Sequence, residues 1–386
     1  VNFMFTHDQM ILQERVRDFF KRELLPFVKE DEREKRFRPE LVKKMGQDGY
    51  FSCPLPKEEG GNDWGFVGLA IIAMELGKIC SSYRPIMTFQ GSGLPLGVIK
   101  YGSEAQKRDI VPSWVKGDSL GFVAITEPDA GSDVANIKST AVDCGDYFEL
   151  TGYKKWVTFA QNGEWGMVFA YTNKAAGYRG MTCFLVNLKT DENIEIVEIN
   201  DKIGLKSMPT GSLIFNKTRI PKDRVVGELD QGFRMCMWVL NNGRFSTAAG
   251  AVGIIEACLE VVKEHVKKRQ QFGRRISSFQ MIQSKIAKME VLYETSKLLT
   301  FKSAWLKDAG LPNQKLVAMA KYYASEAAVS VANDSITLLG GDGYLGSCPL
   351  ERYLLDAKSL QIVEGTTNIM KSMIANIALN ETPDRI

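Results

Sequence analysis

The chain has 386 residues, 45% of them hydrophobic and 25% charged, with a net charge of +3. That length predicts two or three domains with ample core, and the composition is that of a soluble globular protein. A charge balance so near neutral, with no long Lys/Arg run, argues against a nucleic-acid surface. No stretch approaches about 18 uncharged apolar residues, so no membrane insertion is expected. Two histidines, His7 and His265, are too few for a multi-histidine metal site, and both read as structural. Seven scattered cysteines without a C-x-x-C pair predict reduced thiols and a cytoplasmic setting.

In chain order, Thr6-His7-Asp8-Gln9 is a capping box that opens a first helix through Val16 and Phe20. Helical patterns follow around Pro39–Asp48 and Gly65–Lys78, and a second capping box, Ser103-Glu104-Ala105-Gln106, opens a helix toward Trp114. From Gly121 the rhythm changes to short runs rich in β-branched and aromatic residues: Tyr147–Leu150, Trp156–Phe159, Met167–Tyr171, Met181–Val186, Ile194–Val197 and Leu213–Phe215. After Gly232 helical patterns return near 233–268, 279–309, 313–339 and 367–379. The predicted organisation is an N-terminal helical domain (1–120), a central antiparallel β domain (121–228) and a C-terminal helical bundle (229–386), an α+β chain of three parts.

One carboxylate stands out near the end, in Gln361-Ile362-Val363-Glu364-Gly365-Thr366-Thr367-Asn368-Ile369. Apolar neighbours disfavour the charged form of a carboxyl group, and a Glu tuned upward is a better proton acceptor near neutrality. Glu364 is therefore a candidate general base. On its own, a Glu before Gly-Thr-Thr is more often a helix-start charge.

Four dispersed stretches accompany it: Phe122-Val123-Ala124-Ile125-Thr126-Glu127-Pro128-Asp129-Ala130-Gly131-Ser132-Asp133, Lys155-Trp156-Val157-Thr158, Lys268-Arg269-Gln270-Gln271-Phe272-Gly273, and Leu339-Gly340-Gly341-Asp342-Gly343-Tyr344. With Glu364, and in this order, they make the chain resemble the acyl-CoA dehydrogenase family over essentially its full length. The resemblance implies an N-terminal helical domain, a central β domain and a C-terminal four-helix bundle, assembled as a homotetramer with FAD at subunit contacts. It assigns Phe122, Ala124, Thr126, Ser132, Trp156 and Thr158 to the flavin, with Ser132 also facing the substrate. Arg269, Phe272, Gly340 and Gly341 are assigned to the pyrophosphate and adenine side, and Thr366 and Asn368 also to the cofactor. Thr337 departs from the Gln that the family often has. Asn241, Arg244 and Gly365 are implied contacts of the acyl-CoA. The implied reaction is removal of the α-proton by Glu364 and of the β-hydrogen as hydride by flavin, with electron-transfer flavoprotein as acceptor.

The stretch Ser81-Ser82-Tyr83-Arg84-Pro85 is similar to the glutaryl-CoA dehydrogenase segment whose Arg binds the distal carboxylate of the substrate. A cation in an apolar acyl pocket favours a substrate that brings its own anion, although such an Arg is often simply a surface residue. Thr88 and Gln90 are further candidates to line that pocket. Decarboxylating glutaryl enzymes carry Tyr before the base and an acid seven positions before the Arg; here Val363 and Gly77 stand there. The expectation is oxidation without decarboxylation, with cyclic or aromatic acyl-CoA compounds (cyclohexanecarboxyl-CoA, benzylsuccinyl-CoA) as rivals. A flavin oxidase or monooxygenase of the same fold, and a binding protein without activity, are the alternatives of other classes.

Overall fold

The computed structural model describes residues 4–380. Its N-terminal part holds α1 (His7–Glu23), α2 (Val28–Glu34), α3 (Pro39–Gln47), α4 (Gly65–Ile79), α5 (Pro85–Thr88), α6 (Leu94–Tyr101) and α7 (Glu104–Val115). Both expected capping boxes form, at Thr6 and Ser103. Residues 85–101 run as one helical stretch through a π-helical turn, Phe89–Gly93. Such turns mark functional sites more often than chance. Two prolines and three glycines hide this helix from a sequence reading.

The central sheet comprises β1 (Phe122–Ala124), β2 (Thr140–Asp143), β3 (Tyr147–Thr158), β4 (Trp165–Tyr171), β5 (Met181–Asn187), β6 (Ile194–Glu198), β7 (Thr210–Pro221) and β8 (Val225–Val226). Two of the expected runs merge into the single strand β3. The order is β6-β7-β3-β2-β4-β5-β8, with β1 against β4. The sheet is antiparallel except where β1, and one residue of β2, run parallel to β4. That mixed edge corrects the expectation of a purely antiparallel domain: β1 arrives directly from α7, so its direction is set by the helical part and not by a hairpin.

The C-terminal part contains α8 (Gly232–Lys268), α9 (Gln280–Asp308), α10 (Gln314–Leu339), α11 (Pro349–Leu360) and α12 (Thr367–Asn380), with a small hairpin of β9 (Gln270–Gln271) and β10 (Arg274–Arg275) after α8. Helix α11 went unanticipated. Helix α8 is long and apolar enough to cross a membrane, yet most of that stretch is buried inside the fold. It packs tightly on α4, where a Cβ at Gly253 would fall 2.0 Å from the Met74 carbonyl and one at Gly77 2.5 Å from the Gly250 carbonyl. Only glycine permits so close a backbone approach. The N-terminal part is also tied to the sheet, because the Gln106 amide donates to the carbonyls of Asp223 and Val225. The three parts therefore converge on α8.

Candidate active site

Glu364 sits in the turn between α11 and α12. The Ser359 carbonyl accepts from the N–H groups of Ile362 and Val363, and the Gln361 carbonyl accepts from Thr367 N–H, which closes the segment as a tight loop. Inside it Glu364 has φ +57° and Gly365 φ +96°. A residue with a side chain costs of order 1–3 kcal/mol in such a sparsely populated conformation and persists there only when its surroundings impose it. Two cations impose it here. Arg244 Nε donates to the Glu364 carbonyl at 3.0 Å, and Lys321 Nζ donates to the Gly365 carbonyl at 2.7 Å.

The Glu364 carboxyl group packs onto α8, where a Cβ at Gly243 would lie 2.3–2.5 Å from its atoms. Among the described residues no hydrogen bond reaches its carboxylate oxygens. Burial pushes its pKa above the ordinary value, and Arg84, Arg244 and Lys321 pull it part of the way back. The expected source of that burial is corrected by the structure. Ile362 is exposed and Val363 packs into the bundle core, so the desolvation comes from α8 and its neighbours. Nor is Glu364 a helix-start charge, because α12 begins at Thr367 and Thr366 Oγ1 accepts from Ile369 N–H.

Residues three and seven apart share a face of a helix. On α8, Gly243, Ser246 and Gly250 form such a face, and it aligns Glu364, Thr88 and Arg84. The Arg84 stem lies on Gly250, where a Cβ would meet its Cδ at 2.7 Å. Arg84 is only 3% exposed. Its Nη1 donates to Thr88 Oγ1 at 2.7 Å, and the Thr88 hydroxyl donates to Ser246 Oγ at 3.1 Å. Among the described residues, Arg84 Nε is buried without a hydrogen-bond partner. Burial lowers its pKa to about 10, against the pull of Glu364. From Gly243, which carries the carboxylate, to Gly250, which carries the Arg84 stem, the helix rises by about 10 Å, with Ser246 between them. One carboxylate thus faces three cations: Arg84, Arg244 and Lys321.

Other expected pocket residues go elsewhere. Gln90 is buried and fully engaged, donating to the carbonyls of Trp114 and Ser119 and accepting from Gly121 N–H. It holds the π-helical turn and does not line a pocket. Asn241 points at the α9–α10 connection, where its Nδ2 donates to Asn313 Oδ1. Ser246 and Lys321 were missed. Ser246 was detectable as the middle member of the small-residue face, and Lys321 as a lone cation among Val317, Ala318 and Ala320.

The residues expected to hold a flavin form two groups. In the first, Lys155 N–H donates to the Thr126 carbonyl at 2.8 Å, which sets Thr126 beside Trp156. A register shift between β3 and β7 spans Lys154–Val157, and within it Trp156 takes φ +63° and stands 53% exposed. A bulge of this kind re-aims a side chain, and here it offers an indole face for stacking. Thr158 is half-buried on the same strand, Ala124 is buried, and Ser132 is exposed on its loop. The Phe122 ring packs against Gly166 and Gly163, so this residue offers only backbone. In the second group, Arg269, Gly340 and Gly341 line one cavity of about 360 Å³ together with Thr337 and His265. His265, read as structural from sequence, therefore belongs to this wall. Nothing would meet a Cβ at Gly340 or Gly341, so backbone is open to approach there. Phe272 caps the β9–β10 hairpin at φ +53° and is 91% exposed. A guanidinium, open backbone and unstacked aromatics are the donor set that a dinucleotide cofactor needs. Thr366 and Asn368 lie directly after the Glu364 turn, at the start of α12.

Three family signatures cover this chain: acyl-CoA dehydrogenase N-terminal domain over residues 6–118, middle domain over 123–218 and C-terminal domain over 230–379. A glutaryl-CoA dehydrogenase of Desulfococcus multivorans is 38% identical, covering 97% of each chain. The mitochondrial short-chain specific acyl-CoA dehydrogenase of Homo sapiens is also 38% identical, over 96% of this chain and 89% of that one. A solved glutaryl-coenzyme A dehydrogenase in complex with glutaryl-CoA superposes with a TM-score of 0.94 at 36% identity, covering 98% of this chain and 97% of that one.

Proposed function

Since the chain belongs to the acyl-CoA dehydrogenase family and so catalyses FAD-dependent α,β-dehydrogenation of an acyl-CoA, we propose that its substrate is a short dicarboxyl-CoA, glutaryl-CoA or a near analogue, oxidised to the 2-enoyl-CoA without decarboxylation. The observation that carries this reading is Arg84: a buried guanidinium with an unpartnered Nε, on the same face of α8 as the Glu364 carboxylate. Burying a cation without its counter-ion is costly, and a substrate carboxylate removes that cost.

Glu364 acts as the base that takes the α-proton. It is apt for this because no hydrogen bond holds its carboxylate and burial raises its affinity for a proton. FAD, when bound, would supply the acceptor for the β-hydrogen, with an electron-transfer flavoprotein as the onward acceptor. Trp156, Thr126 and Thr158 would hold its ring end, with Ala124 and the Phe122 backbone behind them, and Arg269, Gly340 and Gly341 would hold its nucleotide end. The exposed Phe272 and Tyr344 suit a cofactor shared with a second subunit of a homotetramer. Cytoplasmic location remains part of this proposal.

Arrest before decarboxylation rests on two positions. Val363 offers no hydroxyl beside the base. An acid at position 77 has no room, because even a Cβ would fall 2.5 Å from the Gly250 carbonyl. A straight short-chain monocarboxyl-CoA is the second reading, favoured by the equal identity to the human short-chain enzyme. An anaerobic assay of glutaryl-CoA against butyryl-CoA, cyclohexanecarboxyl-CoA and benzylsuccinyl-CoA, with product masses, separates these. Glutaconyl-CoA is the expected product; crotonyl-CoA from glutaryl-CoA, or preference for a neutral acyl group, overturns the proposal.

A further inference from the structure

Lys321 is fully buried in α10, and its ammonium donates to the Gly365 carbonyl. In a trans peptide the C=O and N–H point in opposite directions. Arg244 on the Glu364 carbonyl therefore turns Gly365 N–H away from α8, and Lys321 on the Gly365 carbonyl turns Thr366 N–H away from α10. Among the described residues, the N–H groups of Glu364, Gly365 and Thr366 have no hydrogen-bond partner. The turn thus carries three consecutive free amides and is gripped through two of its carbonyls, one by α8 and one by α10. Successive unengaged N–H groups make a concavity that receives negative charge. Removing the α-proton of a thioester creates such charge.

We propose that Lys321 is a positioning residue for α-proton removal: by holding the Gly365 carbonyl it fixes the left-handed turn that aims Glu364 and sets its amides toward the developing enolate. The assignment rests on Glu364 as the base. Lys321 does not itself touch the substrate. Its grip also carries a charge, and the charged groups facing it are Glu364 from the turn, Arg244 from α8, Glu326 from α10 and Arg84 from the segment before α5. Burial lowers the Lys321 pKa to about 8, which Glu364 partly opposes. Loss of that proton at alkaline pH weakens the grip, so the wild-type rate of flavin reduction is expected to decline at alkaline pH.

Stopped-flow flavin reduction by acyl-CoA across pH, in the FAD-loaded enzyme, tests this with Lys321→Met and Lys321→Arg. A loosened turn costs roughly tenfold to 100-fold in the limiting rate, with acyl-CoA binding little changed. Lys321→Arg, which stays charged at all accessible pH, is expected to recover most of the rate and shift the alkaline decline upward. A second readout avoids turnover: an acyl-CoA analogue with an acidic α-C–H and no β-hydrogen gives a long-wavelength band when its anion forms beside oxidised flavin. Its apparent pKa should rise in Lys321→Met. A wild-type limiting rate in Lys321→Met, or an alkaline decline that does not move in Lys321→Arg, overturns the proposal, and the Arg variant alone decides if the Met variant fails to fold. Glu364→Gln is the control that separates the two claims. If it still forms the anion band the base assignment fails, whereas loss of the band with unaffected Lys321 variants rejects only Lys321.

Discussion

Glu127 is buried and Glu364 half-buried, and both face cations, yet the fold treats them in opposite ways. Glu127 accepts from Ser139 N–H and Oγ, from Lys138 N–H and from Lys154 Nζ at 2.7 Å. Burial alone would raise its pKa, but Lys154 and these hydrogen bonds together hold it below the ordinary value. Glu364 has three cations nearby and no hydrogen bond to its carboxylate, and its pKa is raised. Proximity of charge is common to both; saturation of the oxygens is not. A carboxylate whose lone pairs are filled is a structural anchor, here shaping the loop after β1, whereas one left unfilled beside an open amide turn keeps its affinity for a proton.

Exchanging each acid for its amide is the most direct way to break that comparison. Glu364→Gln should lower flavin reduction by about 10²–10⁴-fold, the usual contribution of a general base, while acyl-CoA still binds. Glu127→Gln should leave the buried Lys154 without its counter-charge and cost about 3–5 kcal/mol of stability, read as a lower denaturation midpoint. Should Glu127→Gln keep its stability, or Glu364→Gln its turnover, the two sites would not differ as argued.

Arg84 sharpens the contrast from the substrate side. Replacing it with Gln removes the cation that a distal carboxylate would meet. A buried charge pair that loses one partner costs about 2–5 kcal/mol. The ratio of kcat/KM for glutaryl-CoA over butyryl-CoA should therefore fall by roughly 30-fold to 5000-fold, with the butyryl-CoA rate held or improved. An unchanged ratio would place the selectivity elsewhere. Gly243→Ala probes the same face at smaller cost. The position is helical, so alanine is tolerated by the backbone. Its methyl group displaces the Glu364 carboxyl, and a displacement of about 1 Å is enough for a 10²-fold loss of rate; circular dichroism should show the fold unchanged.

The three-part order, both capping boxes and the Glu364 stretch were legible because each is a local pattern. What escaped was set by distant partners. Lys154 and Lys321 lie in a strand and a helix where a cation ordinarily faces water, and partners distant in sequence, Glu127 with the Ile125 carbonyl for one and the Gly365 carbonyl for the other, make their burial tolerable. Gln90 looked available for a pocket because its three bonds go to Trp114, Ser119 and Gly121. The parallel pairing of β1 with β4 joins segments some 40 residues apart. Even the pKa argument for Glu364 reached the right direction by the wrong neighbours: Ile362 is exposed, and Gly243 supplies the contact.

The smallest expected effect concerns stability and follows from sign alone. A carboxyl whose folded pKa lies above its unfolded value binds more protons in the folded state, so its contribution is most favourable below the unfolded value and is lost as pH rises through the folded one. Ionised Glu364 therefore weighs against folding at neutral pH, while the same ionised form is the one that removes a proton. Two consequences separate cleanly. The rate of flavin reduction should rise with pH along a limb displaced above the ordinary glutamate value. The Glu364→Gln variant should melt at or above the wild-type temperature near pH 7, with the gap closing as the buffer approaches the ordinary glutamate pKa of 4.5. A lower melting temperature in the variant at neutral pH would mean that Arg84, Arg244 and Lys321 depend on the Glu364 charge more than its own burial opposes it.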